Sequence, residues 1–313
     1  MKKFTSKLDV YILSRNRAAY LKQCINSVLA NNSDLFHLTV SDNSDTSDVR
    51  EMVKTNFPRV RLIGRSPILN VYEHFNKVIS ESNAEFLIIF HDDDLMMPNF
   101  IEEALTKIES DGSLVAVGHN AFELHGEKKT YKNYMKVQSR NFQLSTARQL
   151  LWPYLTIVSM RAPPFPGYIY RRSFLDGIKL DPSNGGKYCD VSFLLELLEK
   201  GSILWCTKQL MYYRFHQSND TKFRSIAAQI NLCNYLIIRN IFTKKSFEIS
   251  NYKFKYHMKW ILINVLQGNL SILLDKKYRP ALKFVITFPF NNVLAILSQR
   301  ISKVYKDSSL IMW

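Results

Sequence analysis

The sequence predicts an α/β protein with a mostly parallel sheet, followed by a basic helical region. Three observations support this prediction: short strands that are apolar on both faces, helices that alternate with them, and positive charge concentrated in the last third of the chain. Of the 313 residues, 46% are hydrophobic and 13% aromatic, so the chain can bury a full core.

The alternation is clearest in the first hundred residues. Apolar runs bounded by polar turns indicate strands, and apolar residues spaced three or four apart indicate helices. We predict strands at 8–13, 35–42, 59–64 and 86–90, and helices at 18–32, 49–57 and 70–82. No Gly-x-Gly-x-x-Gly follows the first strand, so the dinucleotide-binding fingerprint is absent.

Longer elements follow. A polar hairpin or loop is expected at 123–145, and a proline-rich loop at 161–175 leads into a strand. The remaining predictions are a helix at 99–110 with Pro98 in its first turn, a strand at 113–124, a helix from 145 to a break at Pro153, a helix at 189–201 capped by Asp190 and Gly201, and two strands, "SILWCT" and "LMYYRFH".

Polar residues stand where three of the predicted strands end: residues 14–16, Asp42 and residues 91–94. Ligands of parallel sheets bind beyond the carboxyl ends of the strands, at the point where the strand order reverses. These polar residues should therefore line one crevice.

Three adjacent carboxylates, Asp92, Asp93 and Asp94, follow the apolar run "FLIIF". Acids this close raise one another's pKa values unless a cation neutralises them. Oxygen ligands of this kind suit Mg²⁺ or Mn²⁺. The alternative is a solvated acidic loop in which Asp94 caps the helix after Pro98.

The order of these motifs is similar to that of a known enzyme family. A strand with "SRNR", a strand ending in "VSDNSD", Asn70, "HDDDLMMP" and a later aspartate that opens a helix follow one another along the chain. This order resembles the inverting glycosyltransferases of family 2, which have the GT-A fold, over residues 7–217. The resemblance implies a nucleotide-sugar half at about 1–120 and an acceptor half at about 121–221.

The resemblance also implies roles for residues of the donor half. Asp42 would contact the nucleotide base and Asp92 the ribose, while Asp93, with Asp94, would hold a Mn²⁺ or Mg²⁺ ion that bridges the donor diphosphate. His91 stands where the family often has an acid, and the first-strand motif lacks the family's proline. The remaining residues assigned to nucleotide-sugar binding are Ser14, Asn16, Arg17 and Asn70.

Three residues of the acceptor half complete the site that the resemblance implies. Asp190 would act as the general base that deprotonates the acceptor hydroxyl, although it could simply cap its helix. In "YYRFHQSND", Arg214 would pair with phosphate and His216 would bind the metal or phosphate. The alternative for His216 is that it only forms hydrogen bonds with neighbouring groups at the end of its strand.

The charge is uneven. Of the net charge of +15, residues 222–313 carry fifteen Lys and Arg against three Asp and Glu. We expect helices at 226–242, 254–267 and 276–304 that bind an anionic membrane surface. A helical cap packed on the core, with a homodimer contact, is the alternative; nucleic acid is disfavoured because no nucleic-acid module accompanies the charge.

The four cysteines are scattered, so neither a zinc site nor a disulfide framework is indicated, and reduced thiols in a cytosol are expected. The start is not typical of a secretory signal, and no apolar run is long enough to span a membrane. We therefore expect a cytoplasmic protein, peripheral at the inner face of the cell membrane.

The resemblance implies a metal-dependent inverting glycosyltransferase of bacterial surface-polysaccharide type. It would move a sugar from a nucleotide diphosphate sugar, with UDP or dTDP favoured by Asp42, to a glycan or lipid-linked saccharide. A nucleotidyltransferase is an alternative, but "SRNR" lacks the glycines of a phosphate loop. The other alternative is a non-catalytic nucleotide-binding scaffold with a membrane-binding tail.

Overall fold

One mixed sheet of ten strands organises the described part of the chain. This computed structural model describes residues 7–136, 140–155, 161–216 and 226–254, with single residues 261, 268 and 279. The strands are β1 (Leu8–Ser14), β2 (Phe36–Asp42), β3 (Arg61–Gly64), β4 (Phe86–His91), β5 (Leu95–Met96), β6 (Leu114–His125), β7 (Lys128–Asn133), β8 (Phe142–Leu144), β9 (Tyr168–Arg171) and β10 (Ser202–Phe215). The helices are α1 (Ala18–Leu29), α2 (Asp48–Asn56), α3 (Val71–Glu81), α4 (Phe100–Glu109), α5 (Ala147–Leu155), α6 (Cys189–Leu198) and α7 (Ile226–Ile238).

The strand order is β3-β2-β1-β4-β9-β6-β10-β5, with β7 added to β6 and β8 to β10. Strands β1 to β4 are parallel to one another, and so are β6 and β10. Strand β9 is antiparallel to both of its neighbours and joins the two parallel groups. The predicted α/β fold with a mostly parallel sheet is confirmed.

Apolar side chains form two cores, one on each face of the sheet. Val10 and Ile12 pack toward α1 and α4, whereas Tyr11 between them packs toward α3. The same alternation repeats in β4, where Ile88 and Ile89 belong to different cores. Because successive side chains of a strand point to opposite faces, an apolar run such as "FLIIF" is buried on both sides.

The topology creates a switch point between β1 and β4. The chain runs from β1 outward to β2 and β3, then returns to place β4 on the other side of β1. Connections on opposite sides of β1 leave a crevice above the carboxyl ends of these strands. The polar strand ends named above lie at this crevice.

The structure corrects several predicted boundaries. The two strands predicted after residue 201 are one strand, β10, whose register is irregular between Cys206 and Met211. Helix α5 continues through Pro153 to Leu155. Helix α4 begins at Phe100, so Pro98 lies before it and not in its first turn.

The predicted caps of α6 are also wrong. Tyr188 occupies the N-cap position and the helix ends at Leu198. Gly201 instead allows close packing, since a Cβ there would lie 2.5 Å from Cγ1 of Val115. That distance is too short for any side chain, so the position needs glycine for space.

The part of the basic region that is described packs into the protein core. Leu232, Cys233 and Leu236 of α7 are buried in the same core as α6, and Asn251 donates to the carbonyl of Leu155 at 3.3 Å. The predicted boundary near 221 and almost all of the predicted helices at 254–267 and 276–304 lie outside the described residues. Within the described ranges, no helix is long and apolar enough to cross a membrane.

All four cysteines are buried free thiols.

Candidate active site

The loops after β1 and β2 are tied to each other at the crevice. The Asn16 side chain donates to Asp45 at 2.8 Å and accepts from the Asp45 backbone N–H at 2.9 Å. The backbone N–H of Asn16 donates to Ser44 Oγ at 2.8 Å. Asn16 has a φ of 56°, a left-handed conformation that asparagine tolerates better than most residues. These bonds fix the backbone beside the strand ends.

Asp92 is a buried carboxylate at the centre of this crevice. Its Oδ2 accepts hydrogen bonds from Ser14 Oγ at 2.8 Å and from the Arg15 backbone N–H at 3.2 Å, and its Oδ1 accepts from Arg17 at 3.1 Å. Burial, and then the charge of Asp93, raise the pKa of Asp92 to about 6, against the opposing effect of Arg17 and these hydrogen bonds.

Asp93 shares Arg17 with its neighbour. Its Oδ2 lies 3.0 Å from Arg17 Nη1 and 2.8 Å from His216 Nε2. Burial would raise the pKa of Asp93, but His91, His216 and Arg17 outweigh it and leave this pKa below its ordinary value. The carboxylate of Asp93 is therefore ionised, and it can bind a metal ion or accept hydrogen bonds.

Asp94 has an incomplete set of contacts. Its Oδ1 accepts from the backbone N–H of Arg214 at 2.8 Å, and its buried Oδ2 has no hydrogen-bond partner among the described residues. Burial, and then Asp93, hold its pKa well above the usual range. The capping alternative is wrong for this residue, because Asn99 is the N-cap of α4.

Arg214 lies beneath the acids rather than facing a phosphate site. The side chain is buried and its Nε donates to the Asp93 carbonyl at 2.5 Å. Its other nitrogens donate to Gln23 Oε1 at 2.8 Å and to the Gly126 carbonyl, and its guanidinium lies 4.5 Å from the centroid of the Tyr20 ring. These contacts commit the guanidinium to protein acceptors, so its position differs from the phosphate contact expected from the sequence.

The residues can hold a divalent cation. One donor atom each from His91, Asp93 and Asp94 lies within 4.8 Å of the others, and the unpartnered Asp94 Oδ2 is a buried oxygen that an ion would satisfy. Burial lowers the pKa of His91 and so favours its neutral imidazole, the form that can ligate a metal. His216 Nε2 is close enough to Asp93 Oδ2 to serve as a neighbouring ligand of the same ion.

Asp42 is completely buried at the end of β2. It accepts from the Ser44 backbone N–H at 3.0 Å and pairs with Arg50 Nε at 3.0 Å. Asn43 exchanges two hydrogen bonds with the backbone of Leu69, at 2.8 and 2.9 Å. This pair brings the start of α3 next to the end of β2.

Asn70 is the N-cap of α3 and forms a capping box with Glu73. Its side-chain oxygen accepts from the backbone N–H groups of Tyr72 and Glu73 at 3.0 and 2.9 Å. The side chain is exposed and its oxygen serves the helix, so a ligand would meet its amide N–H₂ group.

Asp190 lies in the first turn of α6 and is half-buried. Its Oδ1 accepts from the Val191 backbone N–H at 2.9 Å, and burial raises its pKa to about 6. Burial raises the pKa values of the Tyr134 and Tyr213 phenols, and the charges of Asp190 and Asp94 contribute to raising them. The rings of these two tyrosines pack against each other, with their centroids 4.8 Å apart.

His91 is the residue whose role the sequence left open. It is the first residue of "HDDD", and a strand end places its side chain beside those of Asp93 and Asp94. The sequence signal that could have identified His91 as a metal ligand was its position next to the three acids of that motif. Gln23 and Gly126, which hold Arg214, gave no signal because they lie far from the acids in sequence.

Comparison with known proteins gives consistent matches. The family described as "Glycosyl transferase family 2" matches residues 9–166. The chain is 24% identical over 225 residues to the uncharacterized glycosyltransferase alr2836 of Nostoc sp., covering 68% of this chain and 66% of that protein. The alignment thus spans slightly less than two thirds of that relative.

Solved structures of S. aureus TarS share the fold. The structure of TarS 1-349 in complex with UDP-GlcNAc has a TM-score of 0.58 at 14% identity, covering 88% of this chain and 78% of that chain. The complex with UDP has a TM-score of 0.51 at 13% identity, covering 90% and 88%. At such identities the likeness shows the fold alone.

Proposed function

The chain belongs to glycosyl transferase family 2, and on that premise we propose that it is a metal-dependent inverting glycosyltransferase using a nucleotide diphosphate sugar. One observation carries the proposal. The three acids after β4 meet the polar ends of β1 and β2 at the switch point of the sheet, where Arg17 bridges Asp92 and Asp93. Anionic ligand atoms held beside fixed N–H and guanidinium donors suit a diphosphate with its counter-ion.

Asp93, Asp94 and His216 are the proposed ligands of Mn²⁺ or Mg²⁺, with His91 added from the same segment as Asp93. When bound, the ion neutralises the charge that develops on the leaving diphosphate. Arg214 holds the backbone of Asp93 and the carboxylate of Asp94 in place, so we assign it a positioning role. The 2.8 Å contact of His216 Nε2 with Asp93 Oδ2 brings this ring nitrogen next to the carboxylate, and binding of the ion would replace that contact.

Arg17, Ser14, Asn16 and Asp92 form the proposed phosphate and ribose side. The guanidinium of Arg17 holds Asp92 and Asp93 and is about one third exposed, so phosphate oxygens can approach it from the solvent side. Ser14 and the backbone of Arg15 orient Asp92 toward the ribose. Asn16 keeps the loop after β1 in the conformation that this arrangement needs.

Asp42 and Asn70 form the proposed base side. A carboxylate has about four acceptor positions, and Ser44 and Arg50 use two at Asp42. The Arg50 side chain is partly exposed, so it can turn aside and leave Asp42 to accept the imino N–H of a uracil or thymine base. UDP or dTDP is therefore the favoured donor nucleotide; the TarS complexes with UDP and UDP-GlcNAc agree with this choice.

Asp190 is the proposed general base. With a pKa near 6 it is ionised at neutral pH, yet it is more basic than an ordinary aspartate. It would take the proton of the acceptor hydroxyl as that oxygen bonds to the anomeric carbon. The bond from this carbon to the diphosphate oxygen breaks on the opposite side, which inverts the configuration.

We further propose a saccharide or lipid-linked saccharide acceptor in the half at about 121–221. Residues 222–313 would bring the enzyme to an anionic membrane surface at the cytoplasmic face, and a homodimer contact through this region is the competing role. Flotation with anionic vesicles, comparing the full chain before and after charge reversal of Lys303 and Lys306, tests the membrane role. Unchanged flotation would contradict it.

The central experiment measures Mn²⁺-dependent hydrolysis of nucleotide sugars. Thermal shift against UDP, GDP and dTDP sugars identifies the donor, and Asp93→Asn is compared with Glu109→Gln, an exposed acid on α4. Turnover that requires metal and fails only in Asp93→Asn supports the proposal. Nucleotide binding without turnover of any nucleotide sugar would favour the scaffold, and release of diphosphate from a nucleoside triphosphate would favour a nucleotidyltransferase.

A further inference from the structure

Helix α7 packs directly on the segment that leads into α6. Gly186 begins a short 3₁₀ turn, Gly186–Tyr188, which ends where α6 starts. A Cβ added to Gly186 would lie 2.9 Å from Cα of Ala228 and 3.6 Å from Nδ2 of Asn231. Glycine is needed there for this close approach and for its φ of 63°. The first turns of α7 therefore lie against the backbone four residues before Asp190.

A shared carboxylate joins α7 to α6 and to the same segment. Glu196 of α6 accepts hydrogen bonds from the Tyr235 hydroxyl at 3.1 Å and from the Asn184 amide at 3.5 Å. Tyr235 is buried, and a buried hydroxyl without a partner is costly, so this bond favours one placement of α7 along α6. An exposed ion pair between Arg239 and Glu199, at 2.5 and 2.7 Å, extends the contact.

The other end of the segment is held by the donor half. The side chain of Asn76 on α3 accepts from the backbone N–H of Leu180 at 2.8 Å and donates to its carbonyl at 3.0 Å. Residues 180–190 are thus fixed at Leu180 by α3 and at Gly186 by α7. Asp190 follows in the first turn of α6, so the position of its carboxylate depends on both contacts.

We propose that α7 belongs to the catalytic unit and that Ala228 and Tyr235 are positioning residues for Asp190. The proposal rests on the proposed function, in which Asp190 is the general base. A base must lie within hydrogen-bond reach of the hydroxyl that it deprotonates, and a misplacement of about 1 Å can cost on the order of a hundredfold in rate. The catalytic unit would then extend through α7, beyond the boundary expected near residue 221.

Two observations distinguish this role from that of an ordinary core helix. The contact at Gly186 involves Cα of Ala228, a backbone atom, so no flexible side chain can absorb a displacement of α7. The hydrogen bond of Tyr235 also ends on α6 itself, the helix that carries Asp190. A shift of α7 would therefore be passed to the first turn of α6.

Hydrogen exchange of the full-length protein tests whether α7 fixes this segment. Ala228→Leu places a larger side chain against Gly186, and Tyr235→Phe removes only the hydroxyl that binds Glu196. Each variant should exchange its backbone amides at 184–191 about tenfold faster, the order of one lost buried hydrogen bond.

Matched controls make the same kinds of change at exposed positions. Asn234→Leu on α7 and Tyr131→Phe on β7 should leave exchange at 184–191 unchanged. If Ala228→Leu gives no cooperative thermal transition, Tyr235→Phe decides the result, because it adds no atoms to the core. Unchanged exchange in Tyr235→Phe and in a folded Ala228→Leu would overturn the inference, whether or not the protein hydrolyses a donor.

Donor hydrolysis tests whether α7 acts through Asp190. With Mn²⁺ and the nucleotide sugar identified by thermal shift, water takes the place of the acceptor hydroxyl. Ala228→Leu should lower kcat about a hundredfold and Tyr235→Phe about tenfold. The KM for the nucleotide sugar and the Kd for UDP should not change, because the proposed donor contacts lie after β1, β2 and β4. In protein that already carries Asp190→Asn, Ala228→Leu should cause no further loss of kcat.

The outcomes separate the two proposals. An equal loss of kcat with and without Asp190→Asn, or a loss of UDP affinity as large as the loss of kcat, would show that α7 only stabilises the fold and would overturn the inference. Hydrolysis that is lost in Asp190→Asn but retained in Ala228→Leu and Tyr235→Phe would overturn the role of α7 alone. Full hydrolysis by Asp190→Asn would instead contradict the base assigned in the proposed function.

Discussion

The backbone N–H of Arg214 donates a 2.8 Å hydrogen bond to the carboxylate of Asp94, joining residues that are 120 positions apart. The same arginine donates through its side chain to the carbonyl of Asp93. The end of β10 therefore fixes both the backbone and one carboxylate of the acidic segment after β4.

Arg214→Ala should destabilise the protein and weaken metal binding. The change leaves the carbonyls of Asp93 and Gly126 without their buried donor, and a loss of about 3 kcal/mol in the free energy of unfolding is expected for a broken buried charged network. Urea denaturation measures the loss, with Arg59→Ala on the surface as the control. Equal stability of the two variants would show that Arg214 does not hold the site together.

His91→Ala should weaken Mn²⁺ binding without unfolding the protein. His91 offers a ring nitrogen within 4.8 Å of oxygens from Asp93 and Asp94, so its loss removes one proposed ligand. Calorimetric titration should give a Kd raised about tenfold to a hundredfold. His37→Ala, on an exposed side chain of β2, is the control; an unchanged Kd in His91→Ala would remove this residue from the ligand set.

Asp190→Asn should lower kcat by about two to four orders of magnitude, the contribution of a general base. In the unmodified enzyme, activity should rise with pH through about 6 as Asp190 loses its proton. Asp176→Asn, an exposed acid paired with Arg172, serves as the control for the assay. A pH profile that stays flat through this range would argue against Asp190 as the base.

The stability of Asp190→Asn is an independent check, because we expect it to stay equal or rise while the activity falls. Because the pKa of Asp190 is raised in the folded protein, its protonated form is favoured there. This contribution to stability is fully present below the unfolded pKa and is lost as pH rises through about 6. At pH 7 the neutral asparagine avoids the cost of a buried charge, so its Tm should equal or exceed that of the unmodified protein while activity falls.

Asp42→Ala should weaken UDP binding more than Arg50→Ala does. Both changes break the ion pair between the buried Asp42 and the partly exposed Arg50, so both should lower Tm. Only the aspartate, however, is proposed to contact the base. Titration with UDP compares the two variants, and an equal loss of UDP affinity in Arg50→Ala would mean that Asp42 acts only by holding Arg50.

The sequence was sufficient to predict the α/β class, the first four strands and the crevice at their ends. The alternation of apolar runs with helical spacing and the polar residues after each run are local features, so they can be recognised without knowing the fold. The three acids after β4 indicated a cation for the same reason, since their mutual repulsion is evident from adjacency alone.

Other features depend on contacts between distant parts of the chain. The pairing of β10 with β6 and β5, the single long strand in place of two, and the burial of Arg214 and Glu123 all arise from tertiary packing. In the sequence, Arg214 looks like a phosphate ligand, and Asp94 like a metal ligand or, in the alternative, a helix cap. Only the fold shows that one holds the other.

The sequence by itself determined which side chains stand at the strand ends, because strand length and polarity are encoded in neighbouring residues. The tertiary structure decided which of those side chains meet, which are already paired and which buried oxygen lacks a partner. The physical reason is that hydrogen bonds and desolvation depend on distances between elements far apart in sequence, such as β4 and β10. The order and register of the strands set those distances.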